Sequence, residues 1–153
     1  MIFMNNLKAG FARVNITPVM GISIRGYFKK RLADGVLDEL EINALALECN
    51  GVRSILLCLD NCGIEQNLCA DYRKAVSDAT DVPMENIIIS QTHTHTGPSV
   101  EKNSEDELIA EYTAFVGKRL VDAAQFAISD LRDAKMGYGK GVAPNVAFVR
   151  RYI

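Results

Sequence analysis

Asn50-Gly51 stands between two apolar runs, Leu40 to Cys49 and Val52 to Leu59, and constrains this chain more than any other dipeptide. A two-residue type I′ turn needs positive φ at both positions, and Asn-Gly supplies it. The flanking runs therefore read as a β-hairpin. The return strand, 52–59, is almost wholly apolar, which predicts cover on both faces. It ends in a polar pair, Asp60-Asn61.

The next segments extend the sheet. Glu65 to Ala79 carries Leu68, Cys69, Tyr72, Val76 and Ala79 at helical spacing. A loop through Asp81 then leads into Ile87-Ile88-Ile89, a buried-strand pattern over 87–92. Strand, helix, strand predicts two parallel strands joined by a crossover, ending at one rim. Upstream, Leu7 to Ile16 reads as a strand stopped by Thr17-Pro18, because proline cannot donate to a ladder. Gly21 to Gly35 reads as loop. Downstream, Ser104-x-x-Glu107 is a capping-box pattern. It opens an apolar stripe through Leu108, Tyr112, Phe115, Val116, Leu120, Ala123, Ala127 and Leu131, which places a helix over 104–132. Ala134 to Val142, with Gly137, Gly139 and Gly141, reads as a glycine-rich strand, and Val146 to Val149 as a further strand-like run. The expected fold is α/β, a mixed β-sheet with a hairpin and a βαβ unit. Both helices pack on one face, as half of an αββα-type sandwich, within one domain over 1–153.

The two histidines lie in Thr92-His93-Thr94-His95-Thr96-Gly97-Pro98, at the carboxyl end of the 87–92 strand. Ligands and catalytic groups gather at such ends. If strand geometry persists through His95, alternation puts both imidazoles on one face. They could then share a metal, or divide metal binding and acid–base work between them. A polar strand end with two surface histidines is the plain alternative. Asp60, on the same expected rim, could be an oxygen ligand, a carboxylate fixing an imidazole tautomer, or a helix-start cap.

Bulk properties narrow the partners. The 153 residues carry a net charge of −2 and no basic cluster longer than Lys29-Lys30-Arg31, which argues against nucleic acid. No segment has the length to span a bilayer. The four cysteines form no C-x-x-C pair; Cys49 and Cys58 read as small buried hydrophobes, and a Cys58–Cys62–Cys69 metal site finds little support. The expectation is a reduced, cytoplasmic chain. Gly137-x-Gly139-x-Gly141 fails as a nucleotide loop, since no helix start or Lys-Ser/Thr follows.

The segment 92–98 resembles the signature of the neutral/alkaline, non-lysosomal ceramidase family. Supporting similarities run along the chain. Lys8 to Pro18 is similar to the family's opening, with Asn15 where Asp is commoner. Gly26-Tyr27, Leu57-Cys58-Leu59-Asp60 and Gly137-Tyr138-Gly139-Lys140-Gly141 also match. Val146 to Tyr152 resembles a segment in which Asn commonly stands at the Val149 position; relatives often have Arg in place of Asn43. The resemblance implies a zinc-dependent amidase that cleaves an N-acyl bond, with this chain as the N-terminal portion of a longer catalytic domain. It implies that His93 ligates zinc, that His95 lies beside the metal in the substrate site, and that Arg150 points into that site. A further His, a Glu and a Tyr would complete the zinc shell from later sequence. Two imidazoles alone would hold zinc weakly, since a catalytic site needs three protein ligands. The expected partner is a small-molecule amide or lipid-like substrate, with self-association through exposed sheet. The alternatives are a non-catalytic fragment or binding module that keeps the fold, and a metal-free sugar or phosphate binder using His95, Arg150 and Arg151.

Overall fold

The structure is a computed structural model that describes residues 6–146. Asn50 and Gly51 both take positive φ, 52° and 80°, as a type I′ turn requires. They join β4 (Glu41–Cys49) to β5 (Val52–Leu59) in an antiparallel ladder running from Ile42↔Leu59 to Cys49↔Val52. Glu48 pairs across this hairpin with Arg53, whose hydrogen bond holds the carboxylate below its usual range. On the far side of β4 lies β1 (Lys8–Asn15), antiparallel, with Gly10 opposite Ala46 and Val14 opposite Ile42.

The crossover is as the pattern predicts. Helix α1 (Gln66–Thr80) ends where Asp81 adopts the left-handed conformation and donates its N–H to Ser77 O. A 3-10 turn, Met84–Asn86, feeds β6 (Ile87–Gln91), which pairs parallel to β5 from Ile55↔Ile87 to Leu59↔Gln91. Helix α2 (Glu107–Ser129) follows, and β7 (Arg132–Asp133) adds a short edge beside β1. The sheet order is β6-β5-β4-β1-β7. Two residues each from β2 (Ser23–Ile24) and β3 (Arg31–Leu32) pair as a small separate ribbon inside the segment expected to be loop.

Strand alternation divides the large sheet into unlike faces. Ile42, Ala44 and Ala46 of β4, Ile55, Leu57 and Leu59 of β5, and Ile87 of β6 pack with Leu68, Tyr72 and Val76 of α1 and with Val116, Leu120 and Ala123 of α2. Each fully buried Ile or Leu here contributes about 1.5–3 kcal/mol relative to exposure. Both helices thus lie on one face. The other face presents Phe11, Leu45, Leu56, Cys58 and Ile88 around an open groove, with Phe11 61% and Ile88 56% exposed. Cover on both sides of β5, expected from its composition, is therefore absent among the described residues.

Three boundaries differ from the sequence reading. Ser104 does not cap α2: Asp106 holds the N-cap position, and the Ser104 hydroxyl instead accepts the Asp106 N–H. The competing turn wins because the side-chain oxygen satisfies a backbone donor two residues on. The helix ends at Ser129, short of Arg132, and Phe115 turns partly to solvent. Residues 134–142 form no strand; only β7, just before them, reaches the sheet. Three glycines supply few side chains to pack, which weakens a strand. The run at 146–149 lies outside the described residues from Ala147 onward.

Gly10 is where α2 closes on the sheet. An added Cβ would lie 2.0 Å from Ala127 O and 2.7 Å from Leu131 N, both backbone atoms that cannot step aside. Gly10→Ala should therefore lower unfolding free energy by about 1–3 kcal/mol or more. Chemical denaturation checks this; a change within error of zero would mean that the helix does not approach the strand this closely.

Candidate metal centre

Parallel pairing of β5 and β6 brings the two strand ends level, and hydrogen bonding continues past them. Thr92 N–H donates to Leu59 O at 2.9 Å, Cys62 N–H to Pro98 O at 3.1 Å, and Val100 N–H to Gly63 O at 3.2 Å. Between the first two of these bonds one segment advances from Leu59 to Cys62 and the other from Thr92 to Pro98. The second path is longer, so its surplus must bulge from the rim. That bulge carries both histidines.

The bulge is not extended, so the alternation expected through His95 does not hold. β6 stops at Gln91, and His93 takes φ of +60°. A left-handed non-glycine residue is sterically disfavoured and persists where its surroundings fix it. Here the Thr94 hydroxyl receives the Thr96 N–H at 3.3 Å and sits 3.0 Å from the Thr96 hydroxyl, closing a local turn between the histidines. The imidazoles still meet: their ring centroids are 5.0 Å apart at 67°, edge to face.

The buried Cys62 approaches them from the opposite loop. One donor atom from each of Cys62, His93 and His95 falls within a group whose members all lie within 4.8 Å of one another. Cys62 is 8% exposed, whereas both histidines are exposed, so the group is a shallow site with a sulfur floor. No disulfide joins the cysteines among the described residues. Borderline-soft N and S donors suit zinc rather than magnesium or calcium. Donors on a tetrahedral zinc, at bonds of about 2.0–2.3 Å, sit about 3.3–3.6 Å apart, so a modest tightening would let the three share one ion. The donor set thus fits the metal that the resemblance implies.

Sequence reasoning missed Cys62 by grouping it with Cys58 and Cys69. Alternation turns Cys58 to the open sheet face, where it lines the groove. The usable signal was position: Cys62 follows Asp60 on the rim that parallel pairing predicts.

Asp60 is on that rim but outside the donor group. Its Oδ2 accepts the Glu41 N–H at 3.2 Å, and its own N–H donates to Glu41 O at 2.9 Å, tying the end of β5 to the start of β4. It also lines a cleft with Leu40, Thr94 and Thr96. Helix α1 has Glu65 at its N-cap, with no side-chain cap. Behind the rim, burial pushes the Tyr112 phenol well above its usual range, with Tyr72 and Asp60 adding to the shift. Arg150 lies outside the described residues, as does Arg151.

His95 is backed by the β2–β3 ribbon. Arg25 N–H donates to Gly97 O at 3.1 Å, and the Arg25 guanidinium pairs with Glu101 and Ser99. Tyr27 meets the His95 ring edge to face at 6.3 Å and carries Arg31 over its own ring at 4.1 Å. Gly26, at φ +92°, lies against the imidazole: an added Cβ would be 2.2 Å from His95 Cγ. Gly26→Ala should displace that ring and move its NMR shifts. Gly21→Ala shares the positive φ but meets nothing within 4 Å, so it should leave those shifts unchanged. Equal effects from the two would show that Gly26 matters only for backbone conformation.

No protein-family model and no curated protein matches the chain. Solved structures do. A structure described as a ceramidase complexed with C2 superposes with a TM-score of 0.68 at 19% identity, over 82% of this chain and 22% of that one. The neutral ceramidase from Pseudomonas aeruginosa gives a TM-score of 0.67 at 20% identity, with the same coverage of each chain. The chain therefore spans about a fifth of the length of the proteins it matches, and over that span it has the fold of neutral ceramidase.

Proposed function

We propose that this chain is the N-terminal portion of a zinc-dependent amide hydrolase that cleaves an N-acyl bond in a small-molecule or lipid-like substrate. The observation that carries the reading is the convergence of His93 and His95 with buried Cys62 on the strand rim of a ceramidase fold. His93 is the metal ligand in this reading. When bound, zinc would supply Lewis acidity toward an amide carbonyl and toward water. His95, braced by Gly26 and Tyr27, holds or moves a proton at its free ring nitrogen as charge develops on the substrate. Asp60 lines the neighbouring cleft and keeps β4 and β5 aligned beneath it. Arg150 would offer its guanidinium to an oxyanion. The later zinc ligands implied by the resemblance would complete the shell. Among the described residues no helix is long and apolar enough to cross a membrane; we place the protein in the cytoplasm.

The two histidines then have unlike roles. In the complete polypeptide, His93→Ala should remove both bound zinc and hydrolysis of a short-chain N-acyl amide. His95→Ala should keep most of the metal and lose about 10²–10⁴-fold in rate, the range of one general acid–base group. Elemental analysis beside a hydrolysis assay checks both. Metal-free wild-type protein with no hydrolysis would favour a binding module that keeps the fold.

The open sheet face supports a second expectation. Phe11, Leu45, Leu56 and Ile88 form an apolar surface larger than scattered single residues. The 153-residue chain alone should self-associate through it, and Ile88→Lys with Phe11→Lys should restore a monomer. Sedimentation velocity at micromolar concentration measures this; a monomeric wild-type chain would contradict it.

A further inference from the structure

The ligands that the family resemblance implies, on this chain and in later sequence, are nitrogen and oxygen donors. The thiol that the fold places beside His93 is neither. We propose that Cys62 is a direct sulfur ligand of the ion that His93 binds, so that this chain brings a thiolate as well as an imidazole to the site. The inference rests on the metal reading above and adds a donor to it.

The argument is geometric. Cys62 does not reach the histidines by chance of a flexible side chain. Its backbone N–H is bonded to Pro98 O, at the far foot of the histidine bulge. The next bond, Val100 to Gly63, and the Ile64–Val100 bridge fix the same loop on its other side. Asn61, wholly buried, donates its Nδ2 to Gly63 O at 3.4 Å and tightens the turn around Cys62. The sulfur is thus held under the bulge before any ion arrives, while the Thr94–Thr96 turn and the left-handed His93 aim the imidazoles toward it. A site organised in advance loses little on binding. His95 is close enough to contact the same ion, and its separate test is described above.

Coordination deprotonates the thiol: the S–H proton leaves to solvent, and the thiolate electron pair forms the S–metal bond, with no change of oxidation state. One thiolate with the neutral His93 imidazole leaves these two donors and a divalent ion with a single positive charge.

Cobalt(II) replacing zinc reports sulfur ligation directly, through a thiolate-to-metal charge-transfer band in the near ultraviolet. Titrated with cobalt(II), the 153-residue chain should develop that band at one equivalent. Cys62→Ser should abolish it. Partners one shell out are worth about 10–100-fold in metal affinity, so loss of a direct donor should weaken zinc by more than tenfold. Cys58→Ser, on the open sheet face, should keep both band and affinity. X-ray absorption of the zinc-loaded wild type should show a sulfur neighbour at about 2.3 Å, and it decides the matter even if Cys62→Ser fails to fold. Metal bound with only nitrogen and oxygen neighbours would overturn the role of Cys62 and leave the His93 reading intact. No metal bound by the wild-type chain would overturn this proposal, since the preformed donors would then have proved insufficient.

Discussion

The parallel register of β5 against β6 is the constraint on which the rest of the molecule depends. It levels two strand ends, and the ladder then continues as single hydrogen bonds through Leu59, Cys62 and Gly63 on one side and Thr92, Pro98 and Val100 on the other. The two paths between shared bonds differ in length. The longer one can only arch outward, and what it carries is held over whatever lies beneath. A one-residue slip would turn Ile87 and Ile89 from the helices to the open face. The core therefore fixes the register, and the register fixes which residue lies beneath the arch. Site and core are not separate designs in this fold; the same isoleucines that bury against α1 and α2 decide where the histidines stand.

The sheet's two faces tell the same story in a different way. On the helix side, small residues let α2 settle close: Gly10, Ala44 and Ala46 form a shallow trough beneath Ala123, Ala124 and Ala127, all buried. On the other side the pairs Phe11↔Leu45, Leu45↔Leu56 and Leu56↔Ile88 run across four strands as a cross-strand apolar row. Water does not reward that arrangement. A half-buried antiparallel sheet normally alternates to polar residues outside. Arg13 and Asn43, bonded to each other near the end of the row, mark where it gives way to polar ground.

Much of this was legible in the sequence, where the signals are local. Asn50-Gly51 declares its turn by the φ values it permits, and the helical stripes declare their buried face by spacing alone. What stayed hidden depends on contacts between distant residues or on competition between near ones. Ser104 had the spacing of a capping box, yet its hydroxyl found the Asp106 N–H first. Leu7 to Ile16 was legible as a strand, but nothing local shows that Gly10 must be bare to admit Ala127 from the far end of α2. The glycine-rich run at 134–142 read as a strand, but among the described residues it forms none beyond the single bond from Ala134 N–H to Leu7 O. The histidine pair was legible as a candidate site; its geometry was not, because alternation presumes an extended chain and His93 leaves the extended region. Cys62 was weighed with the wrong partners, for the same reason in reverse. Cys58 and Cys69, the cysteines nearest it in sequence, stand outside the donor group, and its partners lie some thirty residues on, across a register that only the folded sheet supplies.

The polar layer behind the rim completes the physical account. Asn61 and Tyr112 are both buried, and among the described residues Asn61 Oδ1 and the Tyr112 hydroxyl have no hydrogen-bond partner. Each unsatisfied buried group costs about 1–3 kcal/mol. A fold selected only for stability would place apolar side chains there, as it does one turn away at Val116 and along the strands at Leu57 and Leu59. These positions instead keep polar atoms against the segment that presents Cys62. Proteins break the rule of satisfied polar groups chiefly at functional or strained places. The unpaired atoms of Asn61 and Tyr112 lie behind the same candidate rim as the left-handed His93, the bare Gly26 and the sulfur beneath the bulge, where packing alone does not account for the residues present.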